Sequence, residues 1–390
     1  MLDTKTLETI KVIDSDTHVT EPPDLWTSRM SEQRFGDAIP RVVVDPETKF
    51  ERWKVGEHVL GSPAFFAYAG WKNYPPQFAQ RLSEVDPGSF DAKVRLERMD
   101  EYGVHAQVLY PNLIGFSTTA FMSVSPEFAL AATQAYNDFL VEFASADPAR
   151  FVPIMMVPFW DIDAAVAEMK RCRETGHKGI LFANCYEKIG LPDFTQPHWD
   201  PIYKAAADLD FPVNFHVGFS DNPTDGMSMD DLLAHFESRS AAMFTSLSLM
   251  SNANTLARLL TSGLLDRFPM LKFVSVESGL GYVPYLLENL DWHWKGYGAY
   301  REYPTLPSEY YARQCYGSFW FEKTTLPLLE LYPDNFMFET DYPHPTSLSP
   351  GPASPADNPA EHIAKGFVGR VSTDTARKAL RDNAVKVYGL

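Results

Sequence analysis

The sequence predicts an α/β fold, a distorted (β/α)₈ TIM barrel with an insertion after strand 1, on three observations. Eight short apolar runs alternate with segments of helical periodicity, several runs are apolar almost throughout, and four end in residues able to hold a metal ion. Strands that alternate with helices form parallel sheets, and a strand covered on both faces reads as a continuous apolar run. Eight such units close most readily into a barrel. An open doubly wound sheet is the competing form, but no GxGxxG fingerprint follows an early run.

The expected strands are residues 11–13, 106–110, 151–157, 179–182, 212–215, 271–276, 318–321 and 335–338. The first ends in the polar cluster DSDTH, the fifth runs into His216, the sixth into Glu277 and the eighth into ETDYPH. Helices are expected over 90–102, stopped by Gly103, and over 126–146, with Ser125 as cap and Pro126 at the first helical position. Further helices are expected over 162–174, stopped by Gly176, over 199–209, and over 230–263 as more than one helix.

Two segments exceed a minimal barrel. Residues 27–88 are rich in Pro, Gly and aromatics, with a short hairpin expected over 50–60; they read as an insertion that caps the mouth or meets a second subunit. Residues 342–359 are too rich in Pro and Ser for a helix or central strand, and read as an ordered loop over the active site. The whole chain, 1–390, is expected to form one barrel domain.

Composition excludes several functions. Lys plus Arg number 34 and Asp plus Glu 51, a formal charge of −17, which repels phosphate backbones and argues against nucleic-acid binding. The three cysteines do not suggest a disulfide framework, and the N-terminal residues carry no signal-like apolar run. No stretch has the length and hydropathy of a membrane helix. A cytoplasmic protein acting on a small molecule is the expectation.

The chemistry is carried by strand ends. Asp16 and His18 are two apart, which in extended backbone places both side chains on one face. His216 ends strand five and Asp341 follows strand eight. Each alone has an ordinary explanation: a turn-forming Asp, a buried structural His, a helix cap. Together they occupy positions that a barrel gathers at its C-terminal mouth, and two imidazoles with two carboxylates suit one divalent ion, zinc first and manganese as the alternative. Glu277 is a further ligand or a general base, and His344 either orients Asp341 or touches substrate. Among aromatics, Trp26, Phe65, Phe66, Trp71, Trp160 and Phe219 could pack a planar ring, Trp26 and Phe219 foremost.

The order VIDSDTH, PVNFHVG, FPMLKFVSVESGLGYVPYLLENLD, FETDYPHPTS and DNAVKVYGL resembles the amidohydrolase-related branch of the amidohydrolase superfamily, which includes aminocarboxymuconate semialdehyde and resorcylate decarboxylases. The resemblance spans essentially the whole chain. It implies a distorted barrel, metal ligands at Asp16, His18, His216 and Asp341, and a homodimer or higher homo-oligomer. It also implies a His at the end of strand six, where this sequence has Glu277, and His-x-His or Glu-x-His where it has Asp16-x-His18. No Lys at the end of strand four offers a carbamate bridge, so one ion is expected rather than two. The resulting expectation is a metal-dependent hydrolase of a small aromatic or cyclic substrate, with Asp341, Glu277 and His216 catalytic; the alternative is non-oxidative decarboxylation of an aromatic or muconate-type acid.

Overall fold

The computed structural model describes residues 1–75, 77–218, 237–351 and 358–390. Its strands in chain order are β1 (Val12–Val19), β2 (Arg41–Val44), β3 (Glu51–Val55), β4 (His58–Val59), β5 (Val104–Pro111), β6 (Phe151–Met156), β7 (Gly179–Leu181), β8 (Val213–His216), β9 (Phe273–Val276), β10 (Cys315–Phe319) and β11 (Phe336–Phe338). Eight of them form one sheet in the order β1-β5-β6-β7-β8-β9-β10-β11, every neighbouring pair parallel. The ring closes at its mouth: His18 N donates to Tyr342 O at 2.7 Å, Asp341 N donates to Asp16 O at 3.0 Å, and Thr17 pairs with Tyr342. The fold is the (β/α)₈ barrel.

All eight expected strands exist, with shifted ends. β1 runs through DSDTH instead of stopping before it. Polar residues end a strand when they need water, and these do not need it. Asp14 accepts from Thr340 N at 2.8 Å, from Thr340 Oγ1 at 2.6 Å and from Gln107 Nε2 at 3.2 Å. β10 begins three residues earlier than the aromatic run SFWF suggests and ends at Phe319, because Trp320 N turns to Glu322 at 3.0 Å.

The helices obey their caps. Ala92–Tyr102 starts at Asp91, which accepts from Lys93 N and Val94 N, and stops at Gly103 in the left-handed region (φ 70). Pro126–Ala144 starts at Ser125, whose hydroxyl accepts from Phe128 N; such a cap contributes about 1 kcal/mol. Its buried stripe of Phe128, Ala132, Ala135, Phe139 and Phe143 packs on the sheet at helical spacing. Ile162–Thr175 and Asp200–Asp208 match expectation, and 237–263 contains Ser238–Leu249 and Asn252–Thr261 as separate helices. Residues 230–236 of that expected span and 352–357 of the expected loop lie outside the described residues.

Between β1 and the helix Ala92–Tyr102, the hairpin expected over 50–60 is present as β3 and β4, and β2 adds a third antiparallel strand that the sequence reading lacked. At the other end of the barrel the C-terminal helix Asn383–Tyr388 docks, with Tyr388 and Tyr110 hydroxyls both donating to Asn214 Oδ1 at 2.9 and 3.0 Å. Among the described residues no helix is long and apolar enough to cross a membrane.

Candidate metal centre

Parallel strands bring Asp16 and His18 (β1), His216 (β8), Glu277 (after β9) and Asp341 and His344 (after β11) to one point at the barrel mouth. His18 Nε2 lies 2.9 Å from His216 Nε2, 3.5 Å from Asp16 Oδ1 and 3.7 Å from Asp341 Oδ1. His216 Nε2 lies 3.6 Å from both Asp16 Oδ2 and Glu277 Oε2. Asp16–His18–His216, His18–Asp341–His344 and Asp16–Glu277–Asp341 each bring ligand atoms within 4.8 Å of one another. All six residues are buried.

The hydrogen bonds fix the imidazoles. His18 Nδ1 faces Pro111 O at 2.8 Å and His216 Nδ1 faces Val217 O at 2.6 Å, so both Nδ1 atoms carry the proton and both Nε2 atoms present lone pairs. Two lone pairs 2.9 Å apart do not form a hydrogen bond. His344 repeats the pattern: Nε2 meets Asn112 Oδ1 at 2.7 Å, which turns the Nδ1 lone pair toward Asp341 Oδ1 at 3.1 Å. Both oxygens of Asp16 and Oδ1 of Asp341 are buried without a hydrogen-bond donor. A buried carboxylate without donors costs several kcal/mol, and a cation is the group that satisfies such oxygens and imidazole lone pairs together. The donor set therefore fits a divalent ion, with Asp16, His18, His216 and Asp341 as the residues able to hold it.

Electrostatics agree. Burial pushes the Asp341 carboxyl up to about 7. It lifts Asp16 and Glu277 well above the carboxylate range, and the Asp341 charge adds to both. His18 and His344 are held well below the ordinary imidazole range by burial and by neighbouring histidines. Every one of these shifts favours the neutral form, as burial among like groups without a countercharge requires. The backbone is strained at the same place: Glu277 (φ 53) and Asp341 (φ 56) both occupy the left-handed region, which turns their side chains inward as each strand ends.

Three neighbours, Glu339, Thr346 and Phe116, were missed by sequence reasoning, whereas Phe66 was among the aromatics it named. Glu339, fully buried, approaches Glu277 N with Oε2 at 3.3 Å and leaves Oε1 without a partner. The signal existed: it stands two residues before Asp341, the spacing that singled out Asp16 and His18. Thr346 bonds to Asp341 Oδ2 and reaches Glu277 Oε1 at 3.2 Å. Phe116 lies 5.6 Å from the His216 ring and 5.9 Å from His18, and Phe66 lies 5.3 Å from His344. His344 itself stacks on His18 at 3.7 Å.

Trp26 corrects an expectation. It is fully buried, stacked edge-on against Trp53 at 5.3 Å, with its N–H donated to Ala132 O at 3.0 Å. It packs the insertion onto the helix Pro126–Ala144, and its fully buried ring, held by Trp53 and Phe121, leaves no face for a substrate. Phe219 lies outside the described residues. A cavity of about 390 Å³ in the insertion, lined in part by Phe50, Trp71, Phe78 and Arg81, contains no member of the cluster.

A parallel barrel with imidazoles and carboxylates converging at its mouth defines the class of metal-binding barrel enzymes. The sequence profile of the family described as Amidohydrolase matches residues 13–390, and the chain belongs to that family. It is 26% identical over 305 residues to gamma-resorcylate decarboxylase of Polaromonas sp. (strain JS666), covering 75% of this chain and 86% of that protein. It is 24% identical over 277 residues to 2-amino-3-carboxymuconate-6-semialdehyde decarboxylase of Dictyostelium discoideum, covering 69% and 71%. Among solved structures, an amidohydrolase from Mycobacterium avium subsp. paratuberculosis superposes with TM-score 0.72 at 22% identity, covering 98% of this chain and all of that one. A dihydroxybenzoic acid decarboxylase from Polaromonas sp. JS666, with bound manganese and the inhibitor 2-nitroresorcinol, superposes with TM-score 0.58 at 21% identity, covering 98% of each.

Proposed function

We propose that this enzyme is a metal-dependent, non-oxidative decarboxylase of a small aromatic or conjugated carboxylic acid. The observation that carries this reading is the buried ligand cluster at the mouth of a chain whose relatives over two thirds or more of its length are decarboxylases. The first expectation, hydrolysis, has less support from those relatives.

Asp16, His18, His216 and Asp341 would hold the ion, with manganese and zinc both suited to the set. When bound, it supplies a Lewis acid for the substrate's carboxylate and an adjacent hydroxyl oxygen. The chain's own residues do the rest. Phe66 and Phe116 pack the ring and exclude water from the carbon that must be protonated. Glu277, next to Asp341 and braced by Thr346, is the group placed to give a proton to that carbon as the bond to the carboxyl breaks. The electron pair of the broken C–C bond stays on the ring carbon, the proton captures it, and carbon dioxide leaves. Thr346 braces Glu277 and Asp341. A homo-oligomeric, cytoplasmic enzyme belongs to the same proposal.

One feature favours a second reading. Glu277 stands where the decarboxylase resemblance implies a His, and a carboxylate there serves equally as base for a hydrolytic water. The test is incubation of manganese-loaded protein with 2,6-dihydroxybenzoate and related hydroxybenzoates, and separately with their methyl esters, in ¹⁸O-labelled water. Carbon dioxide with loss of one carboxyl supports the proposal. Label in an organic product with no carbon dioxide replaces it with hydrolysis.

A further inference from the structure

Three histidines at the mouth, His18, His216 and His344, share one arrangement. His18 Nδ1 and His216 Nδ1 each give their proton to a backbone carbonyl, which leaves Nε2 free to bind. His344 has the same arrangement turned over: Nε2 donates to Asn112 Oδ1 at 2.7 Å, so Nδ1 keeps the lone pair. Asn112 is itself fixed, since its Nδ2 donates to Thr20 Oγ1 at 3.3 Å and its backbone N donates to Glu21 Oε1 at 3.1 Å. A ring N–H given to an oxygen acceptor, with the other nitrogen facing a cluster of carboxylates, is the pattern of a metal-bound imidazole.

The contact with Asp341 points the same way. His344 Nδ1 lies 3.1 Å from Asp341 Oδ1, yet that oxygen has no hydrogen-bond donor among the described residues. The pair is therefore neither a hydrogen bond nor an imidazolium–carboxylate bridge; two acceptors face each other. Two ligand atoms each about 2.1 Å from one ion, at right angles, are about 3 Å apart. His18 Nε2 and His216 Nε2, 2.9 Å apart, show the same spacing. His18, Asp341 and His344 offer ligand atoms within 4.8 Å of one another. Nor is the His344 ring free to swing away. It stacks on His18 at 3.7 Å, and His18 is fixed by the buried Arg95, whose Nη2 donates to His18 O at 2.6 Å. His344 N donates to Asp341 O at 2.8 Å, and Pro343 O accepts from Tyr68 N at 2.6 Å and from Ala69 N at 3.1 Å.

Resting on the metal-dependent reading of the site, we infer that His344, through Nδ1, is a fifth protein ligand to the ion in the protein without substrate, beside Asp16, His18, His216 and Asp341. The loop after β11 then holds the ion as well as covering it, and Asn112 is the positioning residue that fixes which nitrogen His344 presents.

The experiment counts imidazoles on the ion and does not depend on turnover. The protein is loaded with cobalt(II) and its proton NMR spectrum is recorded in water, where an imidazole bound to cobalt shows its remaining ring N–H as an exchangeable resonance moved far downfield. Three such resonances are expected, from His18 Nδ1, His216 Nδ1 and His344 Nε2. Two are expected in His344→Gln, which should also hold cobalt at least about tenfold more weakly in competition with a chelator. Two resonances in the wild type overturn the inference and leave the metal-dependent reading standing, and this count needs no variant to fold. Three resonances that persist in cobalt-loaded His344→Gln overturn it as well. A protein that holds no cobalt, zinc or manganese after loading ends the metal-dependent reading and the inference together.

Discussion

Two buried carboxylates in this protein have opposite fates. Glu168, in the helix Ile162–Thr175, accepts from Arg171 Nε at 2.8 Å, from Arg171 Nη2 at 2.7 Å and from Asn137 Nδ2 at 2.8 Å. These donors outweigh its burial and hold its carboxyl below the ordinary range. Asp16, equally buried, has no donor on either oxygen, and its carboxyl is pushed well above that range. Burial alone therefore does not distinguish structure from function. What distinguishes them is whether the protein itself supplies the countercharge. Around Glu168 it does, and the group holds two helices together. Around Asp16 the described residues supply none.

The comparison can be broken at either end. The largest effect is expected at the mouth: His216→Ala should lower turnover by about 10³-fold, equivalent to about 4 kcal/mol of transition-state stabilisation, and reduce bound metal below one per chain by elemental analysis. Full activity in a metal-free variant would refute the role given to the cluster. Next, Glu168→Ala should lower unfolding free energy by about 2–3 kcal/mol in urea while leaving metal content unchanged. The figure is moderated because the Arg171 side chain is 36% exposed and recovers water.

The packed side of the barrel has its own pH dependence. His177, close to Glu168 in the fold, is pushed down to about 4 by burial. Its unfolded value is near 6.5, so between these values the unfolded chain binds the extra proton. Stability from this group is present above pH 6.5 and is lost as pH falls toward 4, by up to about 3 kcal/mol. His177→Gln should flatten that part of the stability–pH curve, measured by urea unfolding from pH 4 to 7. The smallest expected effect has the opposite sign to Glu168→Ala. Asp16→Asn should raise the stability of metal-free protein at neutral pH by about 1 kcal/mol, because it removes the cost of burying a carboxyl whose ionisation folding opposes. Manganese is expected to raise the Tm of the wild type and not that of Asp16→Asn. Destabilisation of the metal-free protein by Asp16→Asn would place Asp16 with Glu168 among structural groups.

Much of this was legible in the chain. Eight apolar runs and their caps follow from local chemistry, since Asp91, Ser125 and Gly103 act on backbone groups within a few residues of themselves. The ligand candidates were legible too, because a barrel fixes where every strand ends whatever its loops do. Strand boundaries were not. DSDTH continues β1 only because Thr340 and Gln107, 326 and 93 residues away, satisfy Asp14.

By itself, then, the sequence determined the succession of strands and helices, the kinds of side chain at their ends and the excess of negative charge. Tertiary structure alone decided that Trp26 is core, that His344 stacks on His18, that Glu339 joins the mouth and that Arg95 faces away from it. The physical reason is range. Backbone conformation and capping are settled over a few residues, whereas desolvation and pairing of a buried group depend on every element packed around it.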